Sequence, residues 1–328
     1  MTAIPHSNLD VFPFCLGGSV FGWTADRATS FRILDTFVEA GGDFIDTADS
    51  YSQWAPPNAG GESESILGDW LTSRRIRDRV TIATKVGRKS DLMGLSSKVV
   101  RQAVEASLRR LRTDYIDLYY THADDPHTPL QETLFTLDEL ISEGKVRHIG
   151  ASNISGPRLA ESLATSKRSG LAKCIVVQPP FNLMEREIFE NDLAPVCERE
   201  RISCVPYFSL AQGFLTGKYR QNAPTPDSVR SPAASAYGDT DRGRAVLRAL
   251  DETATEHGTT PAAVALAWLR TRPHVIAPLA SGRTPEQLAE LLPGATLELT
   301  ETDIHRLDAA SRPTPHENSH IATSEQNA

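Results

Sequence analysis

Short apolar runs that break off into polar residues recur along this chain, and segments of helical periodicity separate them. Phe44-Ile45 leads into Asp46-Thr47-Ala48-Asp49-Ser50-Tyr51. Val80 to Lys85 ends on a lysine, Ile116 to His122 on a histidine, and Cys174 to Gln178 on an amide. Runs this short, bounded by loops, read as buried strands rather than helix cores. Taken in order, strand one covers Val11–Leu16 with the turn Gly17-Gly18-Ser19, strand two ends at Asp46, strand three at Lys85 and strand four near His122. Val146–Gly150, Cys174–Val177, Ile202–Tyr207 and Val275–Leu279 complete eight. The intervening helices read as Asp26–Ala40, Glu62–Arg75, Ser96 or Ser97 to Arg112, Pro129–Glu143, Ser155–Ser169, Glu185–Arg201, Asp241–His257 and Pro261–Arg270. In the third, Val99, Val100, Val104, Leu108 and Leu111 hold the 3.6-residue period. Phe208–Arg244 reads mostly as a long loop. Thr284-Pro285-Glu286-Gln287 opens a last helix with a capping box.

Eight strands, each followed by a helix, give the count of a single (β/α)8 barrel, and polar residues at strand C-terminal ends are where such barrels carry their sites. A chain of 328 residues fits one barrel over 1–312 with long loops at its C-terminal face. The remainder, 313–328, has no core to join and reads as a flexible tail. A formal charge of -8 argues against a nucleic-acid partner, which would need a basic surface. The N-terminus has neither a basic flank nor an apolar core, and no run approaches membrane-spanning length, so the reading is cytoplasmic, with no membrane partner. The cysteines Cys15, Cys174, Cys197 and Cys204 form no CxxC pair and read as buried thiols. No oligomeric state follows from the sequence.

Asp46, Tyr51, Lys85 and His122 sit at the ends of neighbouring strands or in the loops just after them, so one pocket would gather all four. Lowering a tyrosine from its reference pKa of about 10 by two pH units corresponds to about 2.7 kcal/mol. An ammonium about 4 Å away supplies roughly 4 kcal/mol at an effective dielectric of about 20. With Asp46 keeping Lys85 charged, Tyr51 becomes a general acid for a carbonyl oxygen that His122 holds in place. His122, Asp124 and Asp125 could alternatively supply metal ligands, but no second histidine lies near, and the expectation is no metal.

Eight matches carry a resemblance: Asp46-Thr-Ala-Asp-Ser-Tyr51, Ala83-Thr-Lys85, Ser107 to Leu118, His122, Gly144 to Asn153, Gln178 with Asn182, Gln212 to Lys218, and Arg283-Thr-Pro-Glu-Gln287. In this order, over residues 10 to 310, the chain resembles an aldo-keto reductase. The resemblance implies a barrel using a nicotinamide cofactor, NADPH or NADH, with Asp46, Tyr51, Lys85 and His122 as the catalytic tetrad. It implies that Ser152, Asn153 and Gln178 bond the carboxamide, and that Tyr207 stacks on the nicotinamide. It implies further that Phe208 and Leu210 to Gly213, Gln212 included, meet the pyrophosphate by their backbone, and that Gly18-Ser19 lies under the nicotinamide end. Lys218 would face phosphate, or be a solvated loop lysine. Ser281, Gly282, Arg283, Gln287 and Glu290 would surround the adenosine end.

Two departures stand out. Phe208-Ser209 replaces the usual Ser-Pro, and Leu291 follows Glu290 where the family usually has Asn. Arg283 suits a 2′-phosphate, which favours NADP over NAD. Phe21, Trp23, Trp54, His127 and the loop around Tyr237 could line the pocket mouth or simply pack, and with Tyr51 and His122 they would meet a small carbonyl or alcohol substrate. An aldehyde, a ketone or a sugar-like molecule would fit. The same barrel also occurs as a cofactor-binding regulatory subunit of ion channels with little turnover. An intact tetrad favours the enzyme.

Overall fold

The computed structural model describes residues 1–220 and 228–313. All but Pro313 of the tail expected beyond 312 lies outside them. Eight parallel strands, β1 (Cys15–Gly17), β2 (Phe44–Asp46), β3 (Thr81–Val86), β4 (Ile116–Thr121), β5 (Val146–Ser152), β6 (Cys174–Gln178), β7 (Ser203–Cys204) and β8 (Leu279–Ala280), pair in chain order, and β8 returns to β1. Between β7 and β8 the ring closes through Cys204 N to His274 O at 2.7 Å, Ile276 N to Cys204 O at 3.0 Å and Leu279 N to Pro206 O at 2.9 Å. This is the expected (β/α)8 barrel.

Prolines account for most of the differences in strand length. Strand one was expected over Val11–Leu16, but Pro13 has no N–H to give a ladder. Asp10–Val11 instead pairs antiparallel with Thr2–Ala3 as a separate ribbon, and the barrel strand starts at Cys15. Pro206 ends the regular part of the seventh strand, leaving Tyr207 as a single bridge to Pro180. Pro278 does the same before β8, where Val275 only bridges Cys204.

The helices are α1 (Arg27–Glu39), α2 (Glu62–Arg74), α3 (Ser97–Leu111), α4 (Leu130–Ser142), α5 (Gly156–Ser169), α6 (Ala194–Glu200), α7 (Ser231–Gly238), α8 (Asp241–Glu256), α9 (Pro261–Arg270), α10 (Pro285–Leu291) and α11 (Glu301–Ser311). The helix expected over 185–201 opens as a π-helical turn at Ile188–Leu193, because Pro195 cannot complete the α-helical bonds behind it. Pro129, expected inside α4, caps it from outside. The long loop expected over 208–244 holds the 3-10 turns Ala211–Thr216 and α7, and α11 was not read from the sequence at all. The capping box of α10 is displaced by one residue: Gln287 N still reaches Thr284 Oγ1 at 3.3 Å, but Gln287 Oε1 accepts from Arg283 N at 2.9 Å.

Helices α2 and α3 pack against each other, and α3 lies against β3, the strand that carries Lys85. Val100, Ala103, Val104, Leu108 and Leu111 of α3 are buried, each larger side chain contributing about 1.5–3 kcal/mol. Gly68 lets the two helices meet, since a Cβ there would lie 2.1 Å from Arg110 O.

Candidate active site

Asp46 is the last residue of β2, Lys85 lies near the end of β3, and Tyr51 and His122 follow β2 and β4 in loops. The parallel register sets Asp46 beside Ala83, and Lys85 beside Tyr120. From these positions the four side chains converge. Lys85 is fully buried and uses all three ammonium protons, on Asp46 Oδ2 at 2.5 Å, Thr47 O at 2.8 Å and Tyr51 Oη at 2.8 Å. Tyr51 donates in turn to Asp46 Oδ2 at 3.1 Å. The His122 ring lies 6.0 Å from the Tyr51 ring, centroid to centroid and edge-on, with Nδ1 3.3 Å from Ser50 Oγ.

The electrostatic balance differs from the expectation in one respect. Burial pushes the Tyr51 phenol well above its ordinary value, and the Asp46 carboxylate adds to that. The reason is geometric: the carboxylate that anchors the ammonium stands nearly as close to the phenol as the ammonium does. Tyr51 is therefore protonated. Burial likewise lowers Lys85, opposed chiefly by Asp46, and it drives His122 well below the ordinary imidazole value, with Lys85 and Arg88 reinforcing it. His122 is neutral.

The amides expected around a nicotinamide are gathered at the same mouth, and they are also bonded to the tetrad. Gln178 Nε2 donates to Asp46 Oδ1 at 2.9 Å, Asn153 Nδ2 to His122 O at 2.9 Å, Tyr207 Oη to Asn153 Oδ1 at 2.8 Å, and Ser152 Oγ to Gln178 O at 2.9 Å. Asn153 holds a left-handed φ of 49°, which turns its amide inward. Gly18 donates its N–H to Asp46 O at 2.7 Å and leaves no room for a side chain, since a Cβ would stand 2.9 Å from Ser63 Oγ; Ser19 is next in the turn.

Phe208, Ala211, Gln212 and Gly213 have φ of 53°, 47°, 57° and 101°. Around the buried Leu210 these left-handed residues close the segment into tight turns, with Ala211 N donating to Phe208 O at 2.7 Å and Gly213 N to Leu210 O at 2.9 Å. Ser281 Oγ bonds Gly17 O at 2.7 Å, tying the end of β8 to β1, and the buried Gly282 packs against α10. Arg283 makes no ion pair among the described residues. A dinucleotide fits this set: a tight glycine turn at Gly18, a left-handed backbone turn at 208–213 and, at Arg283, a guanidinium without a carboxylate partner among the described residues. Two expected members stand apart. Lys218 is exposed, its ammonium 5.7 Å from the Tyr219 ring, and Glu290 is exposed, with its carbonyl taking Thr260 Oγ1.

On the substrate side Trp23 and Trp54 meet edge to face at 5.5 Å, and Trp54 lies 6.1 Å from Tyr51. The other three candidates do not join them. Phe21 and Tyr237 are core residues, Tyr237 bonding Glu185 Oε1 at 3.0 Å, and His127 is exposed. Arg230 was missed because it lies where the sequence shows only loop; its guanidinium stands 5.7 Å from the Trp23 ring, and burial lowers its pKa, opposed by Tyr51. Thr47 and Ser50, also missed, lie inside the motif that contains Asp46 and Tyr51.

The alternative metal ligands are used otherwise. Asp124 pairs with Arg158 at 3.0 Å, and Asp125 accepts from Leu95 N, His127 N and Thr128 Oγ1. No group of three metal-ligating side chains occurs among the described residues. The four cysteines are free and buried, and no described helix is long and apolar enough to cross a membrane.

The model of the Aldo/keto reductase family matches residues 13–312. The chain is 32% identical to norsolorinic acid reductase A of Aspergillus parasiticus over 93% of its own length and 79% of the relative's. It is 32% identical to Protein tas of Escherichia coli, covering 93% and 96% of the two. With aryl-alcohol dehydrogenase GME11368 of Pestalotiopsis microspora it shares 29% identity, over 93% and 80%.

Proposed function

This chain belongs to the aldo/keto reductase family, and from that premise we propose that it is an NADPH-dependent reductase of an aldehyde or ketone, with Tyr51 as the general acid. The observation that carries the reading is the buried triangle of Asp46, Lys85 and Tyr51 beside a neutral His122. A bound nicotinamide would supply the hydride. Tyr51, protonated by its surroundings, turns its proton from Asp46 to the carbonyl oxygen as charge develops there. Lys85 keeps its bond to the phenol oxygen and stabilises the tyrosinate left behind, while Asp46 and Thr47 O hold the ammonium in place. With Ser50 Oγ donating to Nδ1, the His122 Nε2 carries the ring proton and donates to the same carbonyl oxygen, fixing it between two donors. Ser152, Asn153 and Gln178 would orient the carboxamide of that nicotinamide, Tyr207 would pack on its ring, and the turns at 208–213 would hold its pyrophosphate. Arg283 supports the 2′-phosphate and hence NADPH over NADH.

Trp23 and Trp54 favour a substrate with a flat, apolar face. An aryl aldehyde or ketone agrees with the name of one relative, the aryl-alcohol dehydrogenase of Pestalotiopsis microspora, and a small aliphatic or sugar-like carbonyl is the second choice. Tyr51→Phe tests the reading. Carbonyl reduction falls by about 10² to 10⁴ while NADPH affinity stays within about twofold, because the ring remains and only the proton is lost. A near-normal kcat in that variant overturns the assignment.

A further inference from the structure

One buried acid in the tetrad loop has no part in that mechanism. Asp49 lies three residues after Asp46 and two before Tyr51, it is fully buried, and neither carboxylate oxygen has a hydrogen-bond partner. Its position is fixed from both sides: its amide approaches Lys85 O at 3.4 Å, and a Cβ at Gly60 would stand 2.9 Å from its carbonyl oxygen. The charged and titratable groups around it come from five elements. Glu64 of α2 is committed to Thr84 Oγ1 at 2.6 Å and to Arg110 Nε of α3 at 2.7 Å. Lys85 of β3 belongs to the tetrad. Lys89, in the two-residue strand Arg88–Lys89, donates one hydrogen bond to Asp91 at 2.5 Å. Tyr119 of β4 has a buried hydroxyl that is likewise unpartnered. None of these groups bonds either carboxylate oxygen of Asp49.

An ionised carboxylate in such a place is strongly disfavoured. Burial, reinforced by Glu64 and opposed by Arg110, Lys89 and Lys85, raises Asp49 to about 7, and its charge in turn favours the ammonium of Lys85. We propose that Asp49 is a positioning residue that sets, through Lys85, how tightly Tyr51 holds its proton, and so biases the site between carbonyl reduction and alcohol oxidation. Neutral Asp49 leaves Lys85 facing Asp46 alone, and the phenol is the stronger acid. Once Asp49 has lost its proton to solvent, a second anion stands behind the ammonium, the tyrosinate is less stabilised, and oxidation, which needs that tyrosinate as base, shifts to higher pH.

The inference rests on Tyr51 being the acid, and three measurements separate the two. Infrared titration of the whole protein should show one buried protonated carboxyl that is lost within about a unit of pH 7 in the wild type and is missing from Asp49→Asn. In Asp49→Asn the pH of half-maximal alcohol oxidation should move down by about one unit, with NADP affinity unchanged, and Asp49→Ala should move it equally, whereas Asp49→Glu should leave it near the wild type. Loss of rate that is uniform across pH in Asn and Ala, or no carboxyl titrating near neutrality in the wild type, overturns the inference. Activity surviving in Tyr51→Phe overturns the reading beneath it instead.

Discussion

Tyr51 Oη accepts a hydrogen bond from Lys85 at 2.8 Å and donates one to Asp46 at 3.1 Å, so at this one atom acceptor and donor roles are both filled before any substrate enters. The arrangement stores the proton where burial prevents its loss, and substrate has only to compete with Asp46 for it. Arg283 is the residue on which cofactor choice turns. Its guanidinium is free of carboxylates among the described residues, and a bidentate guanidinium bond to phosphate contributes about 1.5–3 kcal/mol. Arg283→Ala should therefore weaken NADPH binding by roughly tenfold or more while leaving NADH unchanged, as fluorescence titration of each cofactor would show. Equal loss for both, or no loss, sinks the preference for NADP. Asp46, Tyr51, Lys85 and His122 were legible because each ends a strand-like run or stands in the loop just after one. Arg230 was not: a loop has no period from which the aim of a side chain can be read.

At the scale of elements, α2 is the brace of the site. In its first turn Ser63 Oγ donates to Gly18 O at 2.8 Å and lies 2.7 Å from Thr47 Oγ1, and the next residue, Glu64, accepts from Thr84 Oγ1 beside Lys85. All of this depends on α2 approaching α3 at Gly68. Gly68→Ala places a methyl 2.1 Å from Arg110 O, a backbone atom that cannot swing away. The expected cost is at least the 1–3 kcal/mol typical of overpacking, or roughly 2–10 °C in melting temperature for a chain of this size. Turnover should fall further than cofactor binding, because the displaced helix carries Ser63 and Glu64 rather than the segment 208–213. A melting point within a degree of wild type would show that the crossing is looser than drawn. The alternation of strand and helix was readable from apolar spacing, since each element buries one face on a common core. The prolines at 13, 195, 206 and 278 could be seen, but not which ladder each would interrupt, because that depends on the neighbour across the sheet.

For the whole molecule, two buried acids give stability opposite slopes with pH. Asp303, under a burial penalty that bonds from Thr300 and His257 more than offset, sits at about 2 against an ordinary 3.8. It binds fewer protons folded than unfolded in that interval, so its contribution of about 2 kcal/mol is present above about pH 4 and is lost as pH falls towards 2. Asp49 has the reverse sign. Raised to about 7, it holds a proton in the folded state that the unfolded chain has already released, so stability declines as pH rises from about 4 to about 7, by a few kcal/mol in all. Asp49→Asn removes that slope because an amide does not titrate. The variant should melt several degrees above wild type at pH 8 and within a degree or two of it at pH 4. Thermal unfolding followed by circular dichroism at both pH values decides the matter. Equal melting points at pH 8 would mean that the carboxylate finds a donor once ionised, through a shift of Lys89 from Asp91 or of the Tyr119 hydroxyl, and that the site carries less strain at neutral pH than its orphaned oxygens imply.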